Sequence, residues 1–386
     1  MRRLLLPLLV MLGALPGTAA ETPAAWLRSH AIPLASVEPS ADDSDIAPLL
    51  PLFANAHIIA LGDATHGTHE FYAVKQRLIR FLVKHDSVRT IAFEAPFAEF
   101  EAIRDYVRTG AGDPSALLRS DDYFFWNTDE VLDTIRWVRA WNAAGNPPVD
   151  VVGIDPFHTR TTIARLLSML DGDWRADAAR DYACLSRLTI AASQRAREAC
   201  HASVMGVRPR LESRHASAEV LYAARLTEEG EESLNRDSAM AENIERLAER
   251  SGAGNFVVWG HNEHFGRSTR SAGQMLAERY GAGYMAVGTI ALEGSFNAED
   301  PDEGFVSQMP MSNPTPDDFA ALFATASMPR MIVPLHDPLP PWLGEAHPVR
   351  IAGSSSRTTV TVDENLARRF DAVIYIESTT PARLRQ

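Results

Sequence analysis

The chain lacks the short motifs that mark several large enzyme classes. It contains no G-x-S-x-G nucleophile elbow, no phosphate-binding P-loop, no G-x-G-x-x-G after an apolar strand run and no H-E-x-x-H. These absences argue against a serine hydrolase of the usual α/β type, against nucleotide-dependent enzymes that use those loops, and against a zinc protease of the H-E-x-x-H type. The catalytic groups must therefore follow another pattern.

Cysteine is scarce, with only Cys184 and Cys200 in 386 residues. No C-x-x-C metal or redox motif is present, and both cysteines lie far in sequence from the polar strand ends described below, which disfavours a cysteine nucleophile. On one continuous helix the two residues would be ~24 Å apart, too far for a disulfide. They can pair only if the chain turns between them, and both the bonded and the free state remain open.

Positive charge is in deficit, because 37 Lys and Arg residues stand against 50 Asp and Glu residues, for a formal net charge of −13. An acidic chain without a basic stripe argues against nucleic acid or an anionic membrane as a partner. We therefore expect a small-molecule substrate, and the sequence predicts no particular oligomeric state.

Long apolar runs are confined to the start of the chain. Two arginines precede the run Leu4–Leu15, and the small residues Gly17–Ala20 follow it. This is the pattern of a secretory signal, and the run is shorter than the ~20 residues that span a bilayer. We expect residues 1–20 to be a signal peptide and residues 21–386 to form an exported domain, periplasmic or secreted, without membrane insertion after signal removal. An uncleaved N-terminal anchor is the alternative.

Short apolar runs rich in Val and Ile alternate with helical patterns, which predicts an α/β fold with a mostly parallel sheet flanked by helices. The predicted strands are His57–Gly62, Arg89–Ala95, Asp150–Asp155, Asn255–His261, Tyr284–Ile290 and Ala372–Glu377. The predicted helices between them include Glu70–Val83, Ala98–Arg108 and Asn127–Trp141, the last with Asn127 as its cap and Glu130 three residues on.

Two longer stretches depart from this alternation. Residues 159–251 show no strand run and much helical composition, so we predict a helical insertion or subdomain that covers one end of the sheet. Residues 301–348 are rich in proline and predict an irregular segment with one short helix near residues 317–325.

Titratable residues follow four of the predicted strands. In open α/β sheets, ligands bind beyond the carboxyl ends of the strands, so these side chains are expected to meet at one edge. The residues are Asp63, His66 and His69 after the first strand, Glu94 after the second, Asp155 and His158 after the third, and His261, Asn262 and His264 after the fourth.

His66 is the leading candidate for a general base, because an imidazole with a pKa near ~6.5 exchanges a proton at neutral pH. Asp63, on the same turn, can orient His66, and Glu94 arrives from another strand. His261 and His264 are candidates to hold a carbonyl or to stabilise an oxyanion. Each residue alone has an ordinary structural explanation, so the prediction rests on their convergence.

The segment Leu61–Glu70 resembles the Gly-Glu-Ala-Thr/Ser-His-Gly-Thr motif of the erythromycin esterase family. The similarity continues in the same order along the chain to His264. It is carried by Phe93-Glu94-Ala95, Trp126-Asn127, Trp137-x-Arg139-x-x-Asn142, Val152-Gly153-Ile154-Asp155, Arg236-Asp237-x-x-Met240-x-x-Asn243 and Trp259-Gly260-His261-Asn262-x-His264.

The resemblance implies an esterase or lactonase that opens an ester, in the best-known members the lactone of a macrolide antibiotic, and so includes antibiotic resistance among the possible roles. His66 matches the water-activating position, and Glu94, His261 and His264 match active-site positions. Water attack needs no covalent intermediate and no cofactor. Asp63 is expected to support His66 in catalysis. The residues expected to contact the substrate are His69, Lys75, Asp155 and Asn262.

Two positions depart from the family pattern. The acidic residue of the first motif is Glu in the family and Asp63 here, and an arginine of the following helix is replaced by Lys75. Lysine cannot reproduce the planar bidentate contact of arginine. Macrolide specificity is therefore a separate question from the class of reaction.

Two alternatives use the same residues. The histidines and carboxylates can bind a divalent metal that acidifies a water molecule, as in the Tiki-type proteases that are distant relatives of this fold. The wider fold group also resembles bacterial haem-binding proteins, which makes an exported haem- or metal-binding protein the second alternative.

Overall fold

The structure is a computed structural model that describes residues 21–119, 124–156, 159–186, 193–231, 236–251, 254–300, 302, 305–336, 338–353 and 360–385. The predicted signal peptide, residues 1–20, and the predicted strand-end residue His158 lie outside these ranges. In the part of the chain that the structure describes, no helix is both long enough and apolar enough to cross a bilayer.

Eleven strands are present in the described residues. They are β1 (Ile32–Pro33), β2 (Ile58–Asp63), β3 (Val88–Pro96), β4 (Asp150–Asp155), β5 (Asn255–His261), β6 (Tyr284–Asp300), β7 (Phe305–Pro310), β8 (Arg330–Pro334), β9 (His347–Ile351), β10 (Val360–Glu364) and β11 (Ala372–Thr379). The six predicted strands are confirmed as β2, β3, β4, β5, β6 and β11, and two of them, β4 and β5, have the predicted bounds.

The described α-helices are distributed between the strands and over the long stretch between β4 and β5. They are α1 (Pro23–His30), α2 (Leu50–Phe53), α3 (His69–His85), α4 (Phe97–Thr109), α5 (Pro114–Leu117), α6 (Asp129–Ala143), α7 (Thr159–Ser168), α8 (Gly172–Tyr182), α9 (Gln194–Met205), α10 (Val207–Ser213), α11 (Ala218–Glu231), α12 (Arg236–Ser251), α13 (Asn262–Phe265), α14 (Ala272–Tyr280), α15 (Phe319–Ala324), α16 (Pro341–Gly344) and α17 (Leu366–Arg369).

The main sheet has the strand order β1-β8-β11-β6-β2-β5-β3-β4, with β7 paired to β6 outside this path. Neighbours from β11 to β4 are parallel, whereas β1 and β8 pair antiparallel, as do β8 and β11. The prediction of an α/β fold with a mostly parallel sheet is therefore confirmed.

Alternate residues of the central strands enter two separate hydrophobic clusters. In β2, Ile59 and Leu61 pack into one cluster, and Ile58 and Ala60 pack into the other. The first cluster includes side chains of α3, α4 and α6, and the second includes side chains of α12, α14 and α15. Helices thus cover both faces, which is why the strands are continuously apolar rather than alternating.

Two local predictions are wrong. In residues 301–348 the predicted short helix is confirmed as α15, but the segment also contains β7, β8 and the start of β9, because short strands with proline near their ends lack the long apolar run used to find the others. The N-cap of α6 is Thr128, whose hydroxyl accepts the N–H of Val131 at 3.3 Å. Asn127 instead donates its side-chain amide to the carbonyl of Arg385 at 3.0 Å.

Helices α7 to α11 enclose a hydrophobic cluster of their own, which includes Leu166, Tyr182, Val204 and Leu211. Helix α12 differs, because Met240 and Ile244 pack on the sheet. Cys184 and Cys200 form a disulfide with a Cα–Cα distance of 5.6 Å, made possible because α8 and α9 are separate helices.

The disulfide is expected to stabilise the helical cluster by limiting the unfolded chain. Its sequence separation is 16 residues, and a closed loop of about this length corresponds to roughly 3 kcal/mol. The Cys184→Ala, Cys200→Ala double variant should therefore lose about 3 kcal/mol in the free energy of unfolding, measured with urea and circular dichroism. Wild type in excess reductant is the control and should show the same loss; equal stability of oxidised and reduced protein would contradict a stabilising bond.

Candidate active site

Four neighbouring strands, β2, β5, β3 and β4, end in polar side chains at the same edge of the sheet. Asp63 and His261 are register partners at the ends of β2 and β5. Glu94 follows the register pair of Phe93 with Trp259, and Asp155 pairs with Pro96 at the end of β4. The parallel sheet thus brings together residues that are nearly 200 positions apart, as the strand-end prediction requires.

His66 lies between two carboxylates on the turn that leads from β2 to α3. Its Nδ1 is 3.0 Å from Asp63 Oδ1, a contact that lacks hydrogen-bond alignment, and its Nε2 is 3.7 Å from Glu94 Oε1. One face of the ring stacks on Phe125 with a centroid distance of 4.8 Å. The ring is therefore fixed by an apolar face and by negative charge at both nitrogens.

The second oxygen of Asp63 is held by Lys75 from α3. Lys75 Nζ contacts Asp63 Oδ2 and also donates to the carbonyl of Gly260 at 2.9 Å. Lys75 is fully buried, with its ammonium group directed at Asp63 and Gly260, and a contact of Lys75 with the substrate stays a prediction. A buried ammonium group needs an acidic partner, and the charge of Lys75 balances that of Asp63.

The charges of Asp63 and His66 support each other. Burial alone would raise the pKa of Asp63, but Lys75 and His66 outweigh burial and lower it. Burial also opposes the charge on His66, but Asp63 and Glu94 outweigh it and raise the pKa of His66 to about 9. At neutral pH the pair is therefore a buried carboxylate next to an imidazolium.

Glu94 connects the two halves of the site. Its Oε2 accepts the backbone N–H of His261 at 2.7 Å, and its Oε1 accepts from Arg236 Nη2 at 2.7 Å and lies 3.5 Å from His264 Nε2. Burial would raise the pKa of Glu94, but His264, Arg236 and His66 together hold it well below the ordinary value. Glu94 therefore remains a carboxylate at neutral pH.

Arg236, the first residue of α12, is a site residue that sequence reasoning did not select. Its guanidinium donates to Asp155 Oδ2 at 2.6 Å and to Glu94, and its Nη1 lies 2.7 Å from His264 Nε2. The signal for it was the Arg236-Asp237 motif, which served only to extend the family resemblance. Asp155 is thus brought into the site as a partner of Arg236.

His264 has a polar neighbour at each ring nitrogen. Because a guanidinium can only donate, His264 Nε2 accepts from Arg236, and His264 Nδ1 donates to Asp237 at 3.0 Å. Burial lowers the pKa of His264, but Glu94 and Asp237 outweigh burial and raise it. The raised pKa favours the imidazolium, whose Nε2–H faces Glu94 Oε1 at 3.5 Å, whereas the neutral ring accepts from Arg236. A contact between His264 and a developing oxyanion stays a prediction.

His261 is a neutral hydrogen-bond donor with an unused proton. Its Nδ1 accepts the backbone N–H of Glu263 at 3.2 Å, so the proton of the neutral ring is on Nε2. Burial and the nearby charge of His66 lower the pKa of His261 to about 3. Among the described residues, the buried Nε2 has no hydrogen-bond partner, and the ring centroid lies 4.9 Å from that of His66.

Two further residues predicted to contact the substrate have polar partners within the protein. His69 Nδ1 is 2.6 Å from Glu130 and its Nε2 is 3.2 Å from Glu38. The side chain of Asn262 donates to the carbonyl of Thr289 at 2.8 Å and accepts the same residue's N–H at 3.2 Å. Contacts of His69 and Asn262 with a substrate stay predictions.

A metal ion does not fit this arrangement. In the described ranges, no group of three or more His, Asp, Glu or Cys side chains is placed to hold one. The guanidinium of Arg236 occupies the position where Glu94, Asp155 and His264 converge, and it already supplies the positive charge that a cation would bring. A metal would have to displace Arg236.

Solvent exposure differs across the cluster. The side chains of Asp63 and Glu94 are 0% and 2% exposed, whereas those of Arg236 and His264 are 19% and 22% exposed. Arg236 and His264 are therefore the residues of this group that solvent reaches most easily.

Residues 83–379 match the model of the erythromycin esterase family, which covers more than half of the chain. The chain therefore belongs to this family and is placed among hydrolases. The matched range includes Glu94, Arg236, His261 and His264 and begins after His66.

Individual relatives agree with this assignment. Erythromycin esterase type II of Escherichia coli is 28% identical over 130 residues, which are 34% of this chain and 30% of the relative, so the alignment spans less than a third of that protein. A Bacillus cereus protein of known crystal structure has a TM-score of 0.80 at 26% identity, covering 94% of this chain and 98% of its own. A mutant of the erythromycin esterase EreC in its open conformation shares the fold, with a TM-score of 0.73 at 18% identity over 89% and 96% of the two chains.

The Lys75–Asp63 pair should be essential for stability. Lys75→Met leaves the buried carboxylate of Asp63 with His66 alone as a counter-charge, and removal of one partner of a buried pair typically costs about 3–5 kcal/mol, so we expect a loss of about that size in the free energy of unfolding, measured with urea at pH 7. The matched control is the Asp63→Asn, Lys75→Met double variant, which removes both charges and should lose clearly less. A double variant as unstable as Lys75→Met would contradict charge compensation as the cause.

Proposed function

We propose that this protein is an esterase or lactonase in which His66 activates water for attack on an ester carbonyl. The observation that carries the proposal is the position of His66 between Asp63 and Glu94, with the unused Nε2–H of His261 beside it. A proton acceptor and a neutral hydrogen-bond donor close to each other are what acyl transfer to water requires. Membership of the erythromycin esterase family supports the same reaction class.

In the proposed first step, the neutral form of His66 takes a proton from water at Nε2 while the water oxygen bonds to the carbonyl carbon. Asp63, next to Nδ1, stabilises the imidazolium that forms. The carbonyl electron pair moves to oxygen, where the His261 Nε2–H donates to the developing negative charge. In the second step the tetrahedral intermediate expels the alcohol oxygen, which takes the proton back from His66.

Glu94 and Arg236 determine the electrostatic environment of the proposed reaction. Glu94 receives the backbone N–H of His261 and so fixes the ring that binds the oxyanion. Arg236, which is partly exposed, places a positive charge where a substrate carbonyl arrives. Neither residue needs to exchange a proton in these steps.

The substrate class within this proposal is a small ester or lactone. A macrolide lactone is included because a similar E. coli protein is named erythromycin esterase type II. The replacement of the family arginine by Lys75 does not alter the substrate surface directly, since Lys75 is buried. Export by means of residues 1–20, to the periplasm or the medium, is part of the proposal.

Replacement of His66 tests the proposal directly. On a panel of aryl esters, aliphatic lactones and 14-membered macrolides, His66→Ala should lower kcat by about 10²–10⁴-fold on every substrate that wild type hydrolyses, because general base catalysis contributes a factor of that size. The control is His336→Ala, which removes an exposed histidine and should leave the rate unchanged. Full activity of His66→Ala would overturn the assignment, and loss of wild-type activity in EDTA would replace it with a metal-dependent reaction.

The pH dependence of hydrolysis should reflect the raised pKa of His66. The base is the neutral ring, and with a pKa of about 9 only about 1% of the protein has it at pH 7. The rate of wild type should therefore rise about tenfold per pH unit from pH 7 and level off above pH 9. Initial rates on a substrate that is stable to alkali measure this profile; a plateau that begins below pH 7 would contradict His66 as the base in this charge environment.

A further inference from the structure

We infer that the protein has a second ligand site, a cleft beside β4 that binds a small molecule carrying an oxyanion and a ring. The cleft has a volume of about 710 Å³, within the range of small-molecule sites, and it is lined by arginines, aromatic rings and the start of β4. It is not part of the catalytic cluster, and the inference goes beyond the proposed esterase activity.

The cleft lies at the edge of the main sheet where β4 is the last of the described strands. Its floor includes Thr90 and Asp150, which are register partners near the amino ends of β3 and β4, and Val152 further along β4. The catalytic residues stand at the carboxyl ends of the same strands. Thr90 and Asp150 in the cleft and the cluster around Glu94 are therefore at opposite ends of these strands.

Positive charge is concentrated in this cleft although the chain as a whole carries a net charge of −13. Four arginines and one aspartate are among its lining residues: Arg89, Arg104, Arg108, Arg246 and Asp150. Asp150 accepts from Arg104 at 3.2 Å and also from Arg108, and Glu101, which is not a lining residue, is 3.5 Å from Arg104, so the lining itself carries four positive charges and one negative charge. A surplus of this kind at a concave surface attracts an anion.

The arginines are held in place by neighbouring groups. Arg246 lies over the ring of Tyr222 at 5.1 Å, and Glu242, its acidic neighbour on α12, is 3.9 Å away. Arg104 is held by Asp150 and lies 3.5 Å from Glu101. Guanidinium groups fixed by neighbouring contacts recognise carboxylate or phosphate oxygens in a defined geometry.

Beside Arg246, aromatic side chains form part of the cleft wall. Phe97 and Tyr222 meet edge to face with centroids 5.0 Å apart, and the Tyr222 hydroxyl donates to Asn243 at 2.9 Å, which fixes the ring. Leu247 adds apolar surface. A planar or sugar ring packs on such a wall while its anionic group reaches the arginines, so the ligand class is a ring-bearing phosphate ester or carboxylate.

Calorimetric titration of the full chain with phenyl phosphate, benzoate, inorganic phosphate and phenol tests this site. We expect 1:1 binding of at least one ring-bearing anion, at least several-fold tighter than that of inorganic phosphate, no binding of phenol, and weaker binding as salt is added. Tighter binding of phenyl phosphate would assign the ligand to the phosphate esters, and tighter binding of benzoate would assign it to the carboxylates.

Substitutions in the cleft test whether the probe binds there. Arg104→Ala and Arg246→Ala, on different helices, should each weaken binding by about tenfold or more, because each removes a charge-assisted contact. Tyr222→Leu should weaken binding of the ring-bearing probe and leave the affinity for inorganic phosphate unchanged. The matched controls are Arg279→Ala, which removes an exposed arginine outside the cleft, and His66→Ala in the catalytic cluster; both should bind as wild type.

Thermal unfolding of each variant establishes that it is folded, which matters for Arg104 because it also pairs with Asp150. Absence of binding by wild type would overturn the inference. So would binding that survives both arginine substitutions or is lost in His66→Ala, since the probe would then occupy another place, such as the catalytic cluster.

Discussion

Two buried carboxylates, Asp63 and Glu94, determine the positions of the other polar groups in the site. A carboxylate without water must be compensated by cations or N–H donors. Lys75 and His66 compensate Asp63, while Arg236, His66 and a backbone N–H compensate Glu94. Because His66 serves both carboxylates, it joins two buried networks that enter from different strands. Its position, charge and raised pKa all follow from this compensation.

The parallel sheet makes the compensation possible. Neighbouring strands, about 5 Å apart, place Asp63, His261 and Glu94 at one edge of the sheet. Hydrogen-bond donors and carboxylates therefore come within contact distance of each other. The consequence is a contrast between two adjacent histidines: His66 is held in its charged form, and His261 is held neutral with its proton on Nε2. One can exchange a proton at alkaline pH, and the other can donate a hydrogen bond at any pH at which the protein is folded.

The sequence allowed prediction of features that depend on a continuous pattern of apolar residues. It did not allow prediction of contacts between side chains that are far apart in the sequence. The parallel strands and the convergence of Asp63, His66, Glu94 and His261 followed from apolar runs that end in polar residues. Strand β8 did not, because five residues beside prolines carry too little periodicity. The burial of Lys75 was not predicted either, because α3 is buried on all sides around it and its partner Asp63 comes from a strand. Other contacts outside prediction are those of Arg236, Asn262 and His69, which are fixed by tertiary packing.

The charge states of the two histidines are the most direct test of this mechanism. Nitrogen-15 NMR of protein labelled at histidine, with signals assigned by His66→Ala and His261→Asn, measures the protonation and tautomer of each ring across pH 5–10. We predict that His66 titrates near pH 9 and that His261 stays neutral with its proton on Nε2 over the whole range. A neutral His66 at pH 7, or a His261 ring with its proton on Nδ1, would contradict the arrangement of base and donor on which the proposed reaction depends.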